Sequence, residues 1–243
     1  MANPPAIELV PGVFRIPTVG SWQVNSYAFV DDDGSVTLVD TGLRSAPPKL
    51  VAGLAAMGKR PADVTRIVLT HAHPDHAGGA AEMERRTGAP IAVHTDDVRY
   101  AESGTSPSPD RSSPAGRLFE RFAPGGSWTP FTVTDHLTDG QVLPVGGGLR
   151  VVATPGHSPG HISLLHEPGR VLVTGDAIFN VLGVRLSPKP LCSDFRMTQR
   201  TAQRLGELEY AVAAFTHGPE ITENPREALR GYLRKTVGRA TPD

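Results

Sequence analysis

The sequence predicts an α/β protein in which two β-sheets pack face to face and helices cover their outer faces. Two observations carry this. Short apolar or β-branched segments alternate with helical segments along all 243 residues. Strands followed by helices also occur twice, once in each half of the chain. Each sheet then buries one face on its helices and the other on the second sheet.

The first half opens with four strands, "AIELV" (6–10), "VFRI" (13–16), "NSYAFV" (25–30) and "SVTLVD" (35–40). Pro11 and Gly12, Gly20, and the turn from Asp31 to Gly34 punctuate them. "APPKLVAGLAAMG" (46–58) reads as a helix with proline at its start and Gly58 at its end. Strand "RIVLT" (66–70) leads into a histidine-rich loop and the helix "AGGAAEMERRTG" (77–88), closed by Gly88. A buried strand "PIAVH" (90–94) and a helical stretch "DDVRYAES" (96–103) follow. Residues 103–130 are rich in Ser, Pro and Gly but carry Leu118, Phe119, Phe122 and Trp128. So turn-rich a stretch is either a linker or low-complexity loop or, since aromatic residues are unusual in a plain linker, a lid or pocket wall.

In the second half, "FTVTDHL" (131–137), "QVLPV" (141–145), "LRVVAT" (149–154), "HISLLHE" (161–167) and "RVLVTGD" (170–176) are strands. "MTQRTAQRLGEL" (197–208) is a helix, "YAVAAFTH" (210–217) a final strand and "ENPREALRGYLRKTV" (223–237) a final amphipathic helix. One domain over 1–243 is expected, its halves meeting near residue 128. No short repeat is present, which excludes a solenoid.

Composition narrows the function classes. Hydrophobic residues are 39% and charged residues 20%, as in ordinary globular proteins. The net charge of −1 provides neither a basic field for nucleic acid nor an acidic excess. A single cysteine, Cys192, excludes an intrachain disulfide framework and makes a reducing, cytoplasmic location the expectation. No secretory signal opens the sequence and no apolar run is long enough to span a bilayer, so no membrane partner is expected.

"VLTHAHPDHAGG" (68–79) crowds His71, His73, Asp75 and His76 into six positions of a chain with nine histidines. Imidazoles and carboxylates are poor core material but suit a divalent metal. Pro74 excludes a helical interior, so this is not the helical H-E-x-x-H arrangement. An extended loop instead points His71 and His73 to one side. Asp75 and His76, at the turn into the next helix, can face a second point, which suggests two metals. Further candidates sit at other strand ends: His157 in "VVATPGHSPG", Asp176 in "VLVTGD" and His217 in "AAFTHG". Asp40, in "LVDTG", is either the partner of a ligand imidazole or a carboxylate capping the turn at Gly42. His161 is expected in the outer shell or as a structural residue, while His94, His136 and His166 read as surface residues and Cys192 as a plain cysteine.

"THAHPDHAGG", "TPGHSPGHISL", "TGDAIF" and "FTHGPE", in this order, resemble the metallo-β-lactamase superfamily of hydrolases. The resemblance runs from "VNSYAFV" and "LVDTG" to the last strand. It implies an αββα four-layer sandwich of two mixed sheets, with the metal site at one edge between them. It further implies that His71, His73 and His157 bind one metal, that Asp75, His76 and His217 bind the second, and that Asp176 bridges both. Two divalent ions and two carboxylates leave a net charge of about +2, a strong field for polarised oxygen. Water between two such ions would ionise near neutral pH, since even one zinc ion lowers its pKa to about 7. No serine or cysteine nucleophile is then needed. Asp75 is the expected catalytic residue, orienting that hydroxide and carrying its proton to the leaving group.

Within the superfamily, "GHIS" and "GDAIF" resemble the glyoxalase II branch, which cleaves thioesters. Only 26 residues follow His217, too few for that enzyme's glutathione-binding helical region. Acyl-homoserine lactonases are also similar, but a tyrosine commonly three residues past the bridging aspartate is Phe179 here. True β-lactamases of the superfamily generally lack an aspartate at the position of Asp176, and its nucleases usually add a domain or a basic arm. A persulfide dioxygenase with one iron is the alternative from another reaction class, and a binding protein that has lost catalysis is a third. The expectation is a dinuclear hydrolase of an ester, thioester or lactone, with two divalent ions. Zinc is the expected metal, iron and manganese the substitutes. The substrate is a small molecule, met in an apolar pocket of Trp22, Phe179, Phe195 and the 103–130 loop, and oligomeric state is left open.

Overall fold

The computed structural model describes residues 4–110 and 127–237. A seven-stranded sheet holds β1 (Ile7–Val10), β2 (Val13–Val19), β3 (Val24–Val30), β4 (Val36–Val39), β5 (Val64–Val68), β6 (Ile91–His94) and β7 (Asp135–Leu137), in that spatial order. It is antiparallel from β1 to β4 and parallel from β4 to β7. A five-stranded sheet holds β8 (Val142–Leu143), β9 (Leu149–Ala153), β10 (Ile162–His166), β11 (Val171–Val173) and β14 (Val212–Ala214). It is antiparallel except where β14 joins β11 in parallel. A separate hairpin joins β12 (Ile178–Asn180) to β13 (Val184–Leu186).

Alternation along the strands assigns each side chain to a layer, because successive strand residues point to opposite faces. Tyr27, Phe29, Val39, Val68 and Ala92 of the first sheet meet Val151, Leu164, Val171, Val173 and Ala214 of the second between the sheets. Their neighbours Ala28, Leu38, Ile67, Ile91 and Val93 face outward against helices α1 (Pro47–Ala56), α3 (Ala80–Thr87) and α4 (Val98–Ser103). On the second sheet, Leu165, Leu172, Ala213 and Phe215 face outward against α5 (Phe195–Thr201), α6 (Gln203–Glu207) and α7 (Pro225–Val237). Three apolar layers between four layers of structure make the αββα sandwich. In α7, Leu229 and Leu233 lie one turn apart and are buried against Leu205, each worth about 2 kcal/mol of burial.

Several boundaries differ from the sequence reading. The β7 strand lies beyond residue 128 yet pairs with β6, so the first sheet extends into what reads as the second half. It is three residues long and reached by a parallel crossover, so nothing local marks its partner. The helix expected over 77–88 breaks into a single turn, α2 (Pro74–Ala77), and α3. The break falls at Gly78 and Gly79, where the chain passes so close to the β4–α1 turn that a Cβ on Gly79 would lie 2.4 Å from Thr41 O. The β12–β13 hairpin has no Asn-Gly signal; Leu182 and Gly183 supply the positive φ angles, at 54° and 98°. Of the proposed lid, Leu118, Phe119 and Phe122 lie outside the described residues. Trp128 is buried in the helix-side core of the first sheet, its Nε1–H donating to Ala101 O at 3.2 Å. His166, read as a surface residue, is buried in β10, where its Nε2–H donates to Gly146 O at 2.7 Å and its ring meets Phe29 edge-on. No helix among the described residues is long and apolar enough to cross a membrane.

Candidate metal centre

Strand direction explains why residues far apart in sequence converge. β4 and β5 run in parallel, and Asp40 and the histidine loop follow their C-terminal ends. β9 and β11 are both antiparallel to β10, and β14 is parallel to β11, so these three strands also share one direction. His157, Asp176 and His217 follow their ends. The two sheets thus deliver all these loops to one edge of the sandwich, the usual place for functional groups in open sheets.

Within the histidine loop, His73 is extended (φ −125°, ψ 158°) and Pro74 starts the single turn of α2. His71 Nε2 and His73 Nδ1 are 3.0 Å apart, and His73 Nδ1 is 2.8 Å from His157 Nε2. Asp75, His76 and His217 form a second group: His217 Nε2 is 3.3 Å and His76 Nε2 3.7 Å from Asp75 Oδ2. Asp176 lies between the groups, with Oδ2 3.2 Å from His157 Nε2 and 3.3 Å from His217 Nε2, and Oδ1 3.3 Å from His76 Nε2. All seven residues singled out as ligands are therefore in one cluster, arranged as two triads that share a carboxylate.

The outer partners fix each ring. Asp40, fully buried with φ of 60°, accepts at Oδ1 from Thr70 N–H (2.8 Å) and faces His76 Nδ1 at Oδ2 (2.8 Å). His161 accepts the backbone N–H of Asp176 at Nε2 (2.7 Å), while its Nδ1 faces Thr154 Oγ1 (2.9 Å). His217 Nδ1–H donates to Gln23 O at 2.7 Å. Three further residues escaped sequence reading. Thr216 Oγ1–H donates to Asp176 Oδ1 (2.7 Å), Ser187 Oγ holds His157 Nδ1 (3.0 Å), and the buried Asp97 bonds the loops around His71 and His157. Asp97 reads locally as the start of a helix, and the two hydroxyl residues carry no pattern at all.

The donor set fits divalent metal. Ligand atoms about 2.0–2.2 Å from a shared ion lie roughly 3 Å from one another, the separation seen within the three-histidine group. Outward-facing Nδ1 atoms of His71 and His157 are taken by Thr70 and Ser187, so both Nε2 lone pairs turn inward toward each other's neighbours. Lone pairs so close repel unless a proton or cation lies between them. His76 Nε2 is buried with no hydrogen-bond partner among the described residues, an orphan that a cation would satisfy.

Electrostatics separates the two triads. Burial pulls the imidazoles of His71, His73 and His157 below their ordinary range, leaving them neutral. Burial also pulls on His217, but the Asp176 and Asp75 carboxylates outweigh it and push this imidazole up to about 10. His76 is likewise held well above its ordinary value by Asp176, Asp75 and Asp40 against burial. Burial opposes ionisation of Asp75 and Asp176, yet the surrounding imidazoles keep both carboxyls well below the usual range. Burial brings His161 down to about 4, so it is a neutral acceptor.

Among the proposed pocket residues, the Phe179 ring lies 4.4 Å from that of His217. Trp22 adjoins the same loop through its carbonyl, which accepts Gly218 N–H at 2.9 Å. Phe195 packs on the helix-side cluster of the second sheet. Asp75, 31% exposed, His217, 14%, and the half-buried His73 are the open side of the cluster, while His71, His76, His157 and Asp176 are buried.

The family model of the metallo-beta-lactamase superfamily matches residues 19–217. Probable metallo-hydrolase YybB of Bacillus subtilis (strain 168) is 29% identical over 223 residues, covering 90% of this chain and 88% of that protein. Probable metallo-hydrolase YflN of the same organism is 30% identical over 153 residues, 60% of this chain and 57% of the relative. The solved structure of a metallo-beta-lactamase family protein from Thermus thermophilus superposes with a TM-score of 0.70 at 28% identity, covering 96% of this chain and 80% of that one. The Rm3 metallo-beta-lactamase superposes at 0.73 with 22% identity, a likeness of fold, over 98% and 92% of the two chains.

Proposed function

The chain belongs to the metallo-β-lactamase superfamily, and from that premise we propose that it is a dinuclear hydrolase, with zinc as its metal, that cleaves an ester, thioester or lactone. One observation carries the reading: two complete ligand triads face a single carboxylate, Asp176, with an open side at Asp75 and His217. His71, His73 and His157 would hold one ion and Asp75, His76 and His217 the other. Bound there, divalent ions would polarise a carbonyl and lower the pKa of water.

The chain's own groups would do the rest. Asp176, fixed by Thr216 Oγ1 and by its own N–H on His161, sets the spacing of the two subsites. Asp40 holds His76 by the nitrogen that faces away from the cluster. Asp75 carries the most exposed carboxylate of the cluster, placed to take a proton from attacking water and pass it to the leaving oxygen or sulfur. Phe179, packed on His217, offers an apolar wall for an acyl group but no hydroxyl to assist ring opening, which favours esters and thioesters over lactones. The substrate is a small molecule of the cytoplasm; the balanced net charge supports no polyanionic partner.

The test is metal content per chain on untagged, freshly purified protein, followed by a panel of esters, thioesters and lactones. Two zinc ions and turnover within that panel are expected. One iron per chain with oxygen uptake on a persulfide would overturn the reading in favour of a dioxygenase.

A further inference from the structure

The three-histidine subsite is built from two loops whose backbones meet where Ile162 N–H donates to Thr70 O at 2.9 Å, at the base of both loops. His71 and His73 follow β5, and His157 follows β9 of the other sheet. One side chain from a third place joins them. Asp97, fully buried between β6 and α4, accepts Ala72 N–H at Oδ2 (2.9 Å), and Ala72 is the residue between the two ligands of the first loop. The same oxygen accepts Ser158 Oγ–H (2.5 Å), and Oδ1 accepts Gly160 N–H (2.7 Å), both in the loop that begins at His157.

The surroundings are shaped to this contact. A Cβ on Gly160 would lie 2.5 Å from Asp97 N and 2.9 Å from its Cγ, so only glycine lets the second loop close on the carboxylate. Asp97 has no Lys or Arg ion-pair partner among the described residues. A buried carboxylate with hydrogen bonds but no countercharge is costly on its own, and cations held a few residues away would offset that cost.

We propose that Asp97 is the positioning residue of the three-histidine subsite, clamping the His71–His73 loop to the His157 loop so that three ring nitrogens converge before any ion arrives. Its hydrogen bonds go to Ala72, Ser158 and Gly160, all in the two loops of this triad, and its effect therefore falls on one subsite. The second triad is held by other contacts, from Asp40 to His76 and from Gln23 to His217. This assignment rests on the dinuclear reading.

The experiment is a zinc titration of the metal-free full chain against a chromophoric chelator, with cobalt substitution to identify each ligand set by its absorption. Wild type is compared with D97N, which turns one acceptor into a donor facing an N–H, and with S158A, which removes one donor and strands no backbone group. For D97N the expected result is affinity about 10–100-fold weaker at the three-histidine subsite, with the Asp75–His76–His217 subsite within a few-fold of wild type. S158A is expected to shift the same subsite by less. Wild-type affinity at both subsites in both variants would overturn the assignment. Equal weakening of both subsites would overturn it too, since that is what general loosening of the fold produces. Should wild type itself take up a single ion, the dinuclear reading fails, and Asp97 is then judged by whether D97N weakens that one ion.

Discussion

Replacing Asn25 by alanine should destabilise the metal-free protein by about 4–6 kcal/mol, a magnitude that follows from its contacts. Asn25 is fully buried in β3 and ties that strand to the loop carrying His217. Its Nδ2 donates to Phe215 O and Gly218 O at 2.9 Å each, with Trp22 O sharing at 3.2 Å. Its Oδ1 accepts from Arg15 Nη1 at 3.1 Å, and Arg15 in turn pairs with Glu220 at 2.7 Å. An amide has two N–H groups, so alanine removes about three net hydrogen bonds, each worth about 1 kcal/mol. Phe215 O keeps the Tyr27 hydroxyl at 2.7 Å and Arg15 Nη1 keeps Ser21 O at 2.7 Å, so Gly218 O is the group left without a side-chain donor. A stranded buried carbonyl adds about 1–3 kcal/mol. The assay is equilibrium urea unfolding followed by tryptophan fluorescence, with Tyr27→Phe as the control that loses one bond and about 1 kcal/mol. Asn25→Asp should do no better than alanine, because a carboxylate cannot donate to either carbonyl. A loss below about 1 kcal/mol in Asn25→Ala would refute the view that this amide anchors the His217 loop.

Metal uptake should release protons. His217, pushed up to about 10 in the metal-free chain by the Asp176 and Asp75 carboxylates, is protonated at neutral pH and must lose that proton to bind, and His76 is shifted in the same direction. Zinc affinity should therefore strengthen as pH rises from about 6 to 8, about tenfold per unit for each proton displaced, and calorimetry in buffers of different ionisation enthalpy should count them; a flat profile would contradict the assignment. Asp75→Asn should retain metal in the three-histidine subsite but lose turnover by a factor of about 100 or more, measured as kcat on any substrate from the ester and thioester panel; wild-type kcat would remove Asp75 from the chemistry. Burial pushes the Cys192 thiol up to about 11, so it should resist a thiol-specific disulfide reagent at about pH 8 in the folded chain and react once denatured; prompt native reaction would show that the segment around it opens.

Much of the metal centre was legible in the sequence because its signals are local. The spacing of His71, His73, Asp75 and His76, the proline among them, and ligand-type residues just past four strands need no partner to be read. The same holds for the alternating strands that define the sandwich layers. Only the folded chain could say what holds the ligands still. Asn25 reaches Gly218 across 193 positions, Asp97 reaches Gly160 across 63, and Asp40 meets His76 across 36. Each is an ordinary turn, strand or helix-start residue until two sheets bring the loops together. The β7 strand reads with the second half of the sequence but pairs with β6 for the same reason, since a parallel pairing leaves no mark on the sequence of either strand. Residue type and spacing determine which chemistry is available. Long-range hydrogen bonds, set by sheet packing, determine where those side chains are held and which face of the cluster stays open.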